Sequence, residues 1–236
     1  MHRALAVETS GRTGSVALVD ENGAIEEREF PHGLQHAAGL IPLIDEMCGQ
    51  RRWRAADLRE VYVSAGPGSF TGLRIGITLA KTLAFATGAK LVAVPTMRVL
   101  VADAPQEAKH VIIVLDAKRD QIFTARFQRV EERWVEQEPP HLDSLAATLR
   151  RSPRPVYLIG EGIPFHQQYI PAGDEGIVIT KPEAWRAQAK ILAAIAAEVA
   201  QAGTFVDPFL LEPIYIRLPE AQEKWEARQS ATSCNT

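Results

Sequence analysis

Several residues have types and spacings that could do chemistry. Glu8 and Asp116 each close a short apolar run, at matching points of the two halves of the chain. Carboxylates at strand ends can order a divalent cation and its water, which phosphoryl transfer requires. Ala117-Lys118-Arg119 supplies no glycine for a second phosphate-cradling turn, and Gly160-Glu161-Gly162 is too short to decide. Glu8 therefore reads first as a turn or cap residue. His32 and His36 stand four apart, a spacing that can place two imidazoles on one helical face for a metal. Gly33 between them is a poor helix residue, and no carboxylate accompanies them. Gly66-Pro67-Gly68-Ser69-Phe70-Thr71-Gly72-Leu73-Arg74-Ile75-Gly76 follows a strand and opens a helix. Free N–H groups and the helix dipole attract anions there, while the plainer reading is a tight turn with Ser69 as N-cap. The loop lacks the Gly-Lys-Ser/Thr of a nucleotide P-loop, and its glycine spacing is not the dinucleotide fingerprint. Around Ser69 the glycine positions of a hydrolase elbow hold Pro67 and Thr71. Lys118, Arg119 and Arg126 form a small basic cluster, read as a solvated face.

The elements that must position these residues follow from periodicity. Ala4–Val7, Ser15–Val19 and Ala24–Phe30 read as strands, the last two joined by the hairpin signal Asp20-Glu21-Asn22-Gly23. A helix is expected over Leu34–Gln50, with Leu40, Ile44 and Met47 at helical spacing, Leu43 adjoining, and Pro42 as a kink. Strand 61–64 leads through the glycine loop into a helix over Phe70–Thr87, closed by Gly88, and then strand 91–94. In the second half, strand 110–115 ends at Asp116, and strands 122–127 and near Trp134 follow. A helix near 143–150, strand 156–159, a capping box Thr180-x-x-Glu183 opening a helix to about Ala202, and a last strand 213–217 complete the pattern. Each half has βββαβαβ order, which predicts an α/β protein with mixed sheets: residues 1–100, residues 101–218, and a polar tail at 219–236. Gly72, Gly76, Ala80, Ala84 and Gly88 recur every four residues as a small-residue stripe. Interior glycines cost about 1 kcal/mol each, so the stripe implies close approach, either to the chain's own first helix or to another chain.

The chain has 236 residues, 46% hydrophobic and 23% charged, with a net charge of −3. This is ordinary globular composition, without the basic excess of a nucleic-acid binder. Cys48 and Cys234 have no disulfide-framework or metal-ligand pattern, which points to a reducing compartment. No secretory signal and no run of ~20 apolar residues is present in the sequence, so a cytoplasmic location is expected.

Ala6-Val7-Glu8-Thr9-Ser10, Gly14 to Leu18, Gln35-His36, Leu40-Ile41-Pro42, Gly66 to Gly76, Leu115 to Arg119 and Glu212 to Arg217 together resemble the TsaB family, in order over residues 4–218. The glycine loop is the most specific of these pieces. The resemblance implies two tandem domains of the actin-like ATPase (ribonuclease-H-like) fold. It implies a non-catalytic partner subunit that binds and activates TsaD. TsaD transfers threonylcarbamoyl from threonylcarbamoyl-AMP to N6 of adenosine 37 in tRNAs reading ANN codons. TsaE, an ATPase, is expected to join the pair, and the chain alone is expected to self-associate through its N-terminal helices. No catalytic, metal or cofactor residue is expected on this chain; the complex interface leaves room for ATP or ADP as an open alternative, and tRNA is expected to be reached indirectly. The expected partner interface is His36, Leu40, Leu43, Met47, Gly68, Phe70, Thr71, Gly72, Arg74, Ile75, Gly76 and Ala80. The alternative is a stand-alone actin-fold small-molecule kinase or ATPase, because Glu8 sits where such kinases carry an aspartate.

Overall fold

The first strand is buried along its whole length, apolar up to Glu8, and sits at the centre of a sheet, where both faces are covered. The computed structural model describes residues 2–30 and 36–217, with side chains of the first helix described from residue 39. His32, the His36 side chain and the expected 219–236 tail lie outside the described residues. Strands β1 (Ala4–Glu8), β2 (Gly14–Val19), β3 (Ile25–Phe30), β4 (Glu60–Gly66) and β5 (Lys90–Pro95) pair in the order β3-β2-β1-β4-β5. The β1–β2 and β2–β3 pairs are antiparallel, and β1–β4 and β4–β5 are parallel. Helices α1 (His36–Gln50) and α2 (Phe70–Thr87) pack beside this sheet and against each other. α1 runs through Pro42. Ser69 caps α2, and Gly88 ends it in the left-handed conformation.

After α3 (Thr96–Ala102), strands β6 (His110–Ile113), β7 (Leu115–Asp116), β8 (Ile122–Val130), β9 (Arg133–Asp143), β10 (Val156–Ile159) and β11 (Ile177–Ile179) form a second mixed sheet. Its path is β11-β10-β6-β8-β7, with β9 on β8. A central first strand, an antiparallel hairpin on one side and parallel strands on the other thus recur in both halves. Helices α4 (Leu145–Arg150) and α5 (Ile163–His166) accompany the second sheet. The expected boundary at residue 100 falls inside α3, and α6 (Ala189–Gln201) returns to lie against β1, β2 and β5 of the first sheet.

Two expectations about the C-terminal part are corrected. The expected capping box opens no long helix: Pro182–Trp185 is a single 3-10 turn, and α6 begins only at Ala189. The Thr180 hydroxyl instead donates to the Leu158 carbonyl, 2.8 Å, and the Ser15 hydroxyl accepts from the α6 N-terminal Ala189 N–H, 2.8 Å. Residues 213–217 form no strand. They are an irregular strap crossing between the sheets, because only Ile214 bonds β4's backbone, its N–H reaching Ala65 O at 2.7 Å.

One buried apolar cluster joins the halves: Ala4, Tyr62 and Val92 of the first sheet contact a core shared with Val111, Phe127 and Ile159 of the second. Phe127→Ala should therefore cost about 3–5 kcal/mol. Urea unfolding followed at Trp53 and at Trp185 should shift together, because both report one cooperative unit; separate midpoints would contradict the shared core.

Candidate functional site

The β1–β2 turn is pressed onto the glycine loop. Ser69 N–H donates to Ser10 O, 2.7 Å, and the Thr9 hydroxyl donates to Gly72 O, 2.7 Å. A Cβ on Gly72 would overlap the Thr9 carbonyl oxygen, and one on Gly76 the Thr9 hydroxyl. The small-residue stripe is thus used inside the chain. At these two positions it receives not α1 but the backbone and side chain of Thr9. Glu8 is fully buried beneath this clamp. One of its oxygens accepts from Ser10 N–H, 2.6 Å, and Ser10 O–H, 2.5 Å; the other accepts from the Ser64 hydroxyl. Burial pushes the Glu8 carboxyl above the usual carboxylate range, against the lowering effect of these hydrogen bonds. A carboxylate engaged in this way serves as an internal strut and presents no free oxygen pair to a metal.

The expected interface residues divide by burial. Leu40 and Met47 of α1 are 1% and 0% exposed, and both belong to the first-sheet core. Gly72, Gly76 and Ala80 are buried as well. These five are buried within the chain itself, because the face of each helix with the strongest apolar spacing is the face its own sheet takes. Thr71 and Arg74 are exposed, and Leu43, Gly68, Phe70 and Ile75 are half-buried. The structure brings together Phe70, Thr71, Arg74 and Ile75 on the first turns of α2. Sequence spacing does not single out Ile41, which is 60% exposed on α1. Its only signal is an apolar residue out of phase with the core stripe.

A cleft of about 990 Å³ separates the halves, lined by Ser10, Arg12, Ser69, Lys118, Trp185 and Arg217 among others. Lys118, Arg119 and Asp120 hold consecutive left-handed φ angles of 59°, 54° and 58°, which folds the turn after Asp116 tightly at the cleft. One Asp116 oxygen meets His166 Nε2 at 3.1 Å and accepts from Lys118 N–H at 3.1 Å. Arg126 does not join Lys118 and Arg119, because Glu138 pairs with it at 2.9 Å. Among the described residues, no group of three or more His, Cys, Asp or Glu side chains could hold a metal ion. Among the same residues, no helix is long and apolar enough to cross a membrane.

A family model described as "TsaD: tRNA N6-adenosine threonylcarbamoyltransferase" matches residues 33–225. The tRNA threonylcarbamoyladenosine biosynthesis protein TsaB of Bacillus subtilis is 31% identical over 227 residues, covering 94% of this chain and 96% of that protein. This chain belongs to the TsaB family. The protein of the same name from Escherichia coli is 26% identical, covering 96% of this chain and 100% of its own length. The solved structure of YeaZ from Pseudomonas aeruginosa superposes with a TM-score of 0.77 at 23% identity, over 91% of this chain and 100% of that one, which shows the shared fold. In this TsaB-family chain the glycine loop that carries most of the resemblance is a packing device. It holds α2 against the β1–β2 turn and leaves the outer side of the helix open.

Two outcomes follow from the clamp. Gly72→Ala should destabilise the chain by about 1–3 kcal/mol in urea titration, since Thr9 backbone must move to admit the methyl group. Glu8→Gln should fold, because its amide can donate to the Ser64 hydroxyl while its oxygen keeps the Ser10 bonds. A folded-state pKa above the unfolded value means the native state holds the proton more tightly. Stability of the parent chain should therefore fall as pH rises from the ordinary value of about 4.3 through the raised one. Glu8→Gln should lack that decline, so the two curves diverge by up to ~1.4 kcal/mol per pH unit in that window. Parallel curves would contradict the burial argument.

Proposed function

We propose that this chain acts in tRNA threonylcarbamoyladenosine biosynthesis as a partner subunit that binds and activates TsaD, without chemistry of its own. Its relatives are named for that biosynthesis, and the family model it matches is described as the transferase. The observation that carries the reading is the outer side of the α1–α2 pair. Ile41 is largely exposed there, Leu43, Ile75 and Leu79 are half-covered, and Thr71, Arg74 and Thr78 face solvent. An apolar surface with a sparse polar complement suits a protein interface. The buried, internally bonded Glu8 supports the absence of catalysis from the strand-end position. TsaE would join through the assembled pair, tRNA would be reached through TsaD, and the same helices would serve self-association when TsaD is absent.

A second reading is favoured by the cleft, whose lining includes Arg12, Lys118, Arg119 and Arg217. In that reading the isolated chain binds a nucleotide as an actin-fold kinase or ATPase. Calorimetry with Mg-ATP separates the two: sub-millimolar affinity of the chain alone favours the second.

The double variant Ile41→Glu/Thr78→Arg tests the first reading. Both residues are exposed, so the melting temperature should stay within a few degrees of the parent's. Affinity for purified TsaD should fall at least about tenfold, ~1.4 kcal/mol. Unchanged affinity would place the interface elsewhere.

A further inference from the structure

Among the described residues, Arg74 is held in place by aromatic neighbours and not by a carboxylate. Its Nε donates to the Tyr215 hydroxyl at 3.1 Å, and its guanidinium lies 3.8 Å from the Phe70 ring centroid. Phe70 and Tyr215 are themselves in contact, with ring centroids 5.1 Å apart. Among the described residues no carboxylate pairs with Arg74, although its side is exposed. A cation near the N-terminal, positive end of a helix does nothing for that helix's own stability.

The tyrosine is fixed from both sides. Before it, Leu211 is buried against α2, its carbonyl accepts from Lys81 Nζ at 3.0 Å, and Ile214 N–H reaches Ala65 O. After it, Arg217 donates to Ala117 O at 2.7 Å and to the Gln121 side chain. Gly66 leaves room for this strap: its φ is +109°, and a Cβ there would stand 2.7 Å from Ile214 O. Residues 211–217 therefore present Tyr215 to Arg74 as a fixed hydroxyl. With Nε bonded and one face stacked, the two terminal nitrogens remain to bond a planar anion side by side.

We propose that Arg74 is the electrostatic anchor of the partner-binding face, receiving one Asp or Glu carboxylate of a partner protein, and that Tyr215 is its positioning residue. The ordering cost of the long side chain is met within the free chain, which leaves more of the contact energy for binding. A protein carboxylate fits better than a nucleic-acid backbone. α2 carries only two cations, and the second, Lys81, is engaged with Leu211 O. Backbone phosphates need several, whereas a single arginine among threonines and an isoleucine suits one carboxylate in an interface. This inference rests on the docking reading above.

The experiment is a binding titration of the full chain against purified TsaD at two salt concentrations, for the parent, Arg74→Lys, Arg74→Ala, Tyr215→Phe and the double variant Arg74→Ala/Tyr215→Phe. Arg74→Lys should bind about tenfold more weakly, because an ammonium cannot make the paired contact. Tyr215→Phe keeps the ring on Phe70 and should lose about three- to tenfold in affinity, with an unchanged melting temperature. In the Arg74→Ala background the same change should have no further effect, which a general structural role would not produce. The salt dependence of binding should shrink in Arg74→Ala. Parent-like affinity of Arg74→Ala overturns the anchor while leaving docking intact, and additive losses in the double variant overturn the positioning role. A parent chain that does not bind TsaD overturns the docking reading and the anchor with it. Loss of tRNA binding at unchanged TsaD affinity assigns Arg74 to RNA and overturns the proposal.

Discussion

The structure depends on the close contact between Thr9 and the first turns of α2. Gly72 and Gly76 have no side chain where the Thr9 carbonyl and hydroxyl stand, so the helix can lie directly on the β1–β2 turn. That contact sets the height of α2 over the first sheet. It also covers Glu8, whose oxygens are then satisfied by Ser10 and Ser64 instead of water. A buried carboxylate is expensive unless it is hydrogen-bonded, and here those bonds come from Ser10 of the turn and Ser64 of the neighbouring β4. The position that could have served catalysis becomes part of the packing.

The outer surface follows from the inner one. Because α1 commits Leu40, Ile44 and Met47 to the core, Ile41 is turned outward. Because α2 commits its glycines and Ala80, Thr71, Arg74 and Thr78 form the opposite side. The strap from Leu211 to Arg217 then ties that side to the second sheet and orders Arg74. Packing, surface and orientation of Arg74 are consequences of one helix placement.

Much of this was legible in the sequence. The α2 boundaries, its Ser69 cap and Gly88 stop are local signals, and local chemistry decides them. The repeated strand order was legible because each half alternates apolar runs with turn residues at similar intervals. What was not legible depends on contacts distant in sequence. The four-residue glycine spacing shows that something comes close, but only the fold shows that it is Thr9. Leu40 and Met47 are good interface residues by type, and only the fold shows that they pack in the core. Thr180-x-x-Glu183 has the capping pattern, yet the Thr180 hydroxyl is drawn to Leu158 of β10. Tyr215 carries no signal of its link to Arg74, since 141 positions separate them.

Hydrogen–deuterium exchange of the chain with and without TsaD maps the docking face. New protection is expected in α1 and the first half of α2, together with the strap around Tyr215. Protection confined to the cleft turns at 117–121 and 160–162, with α1 and α2 unchanged, would contradict docking through these helices.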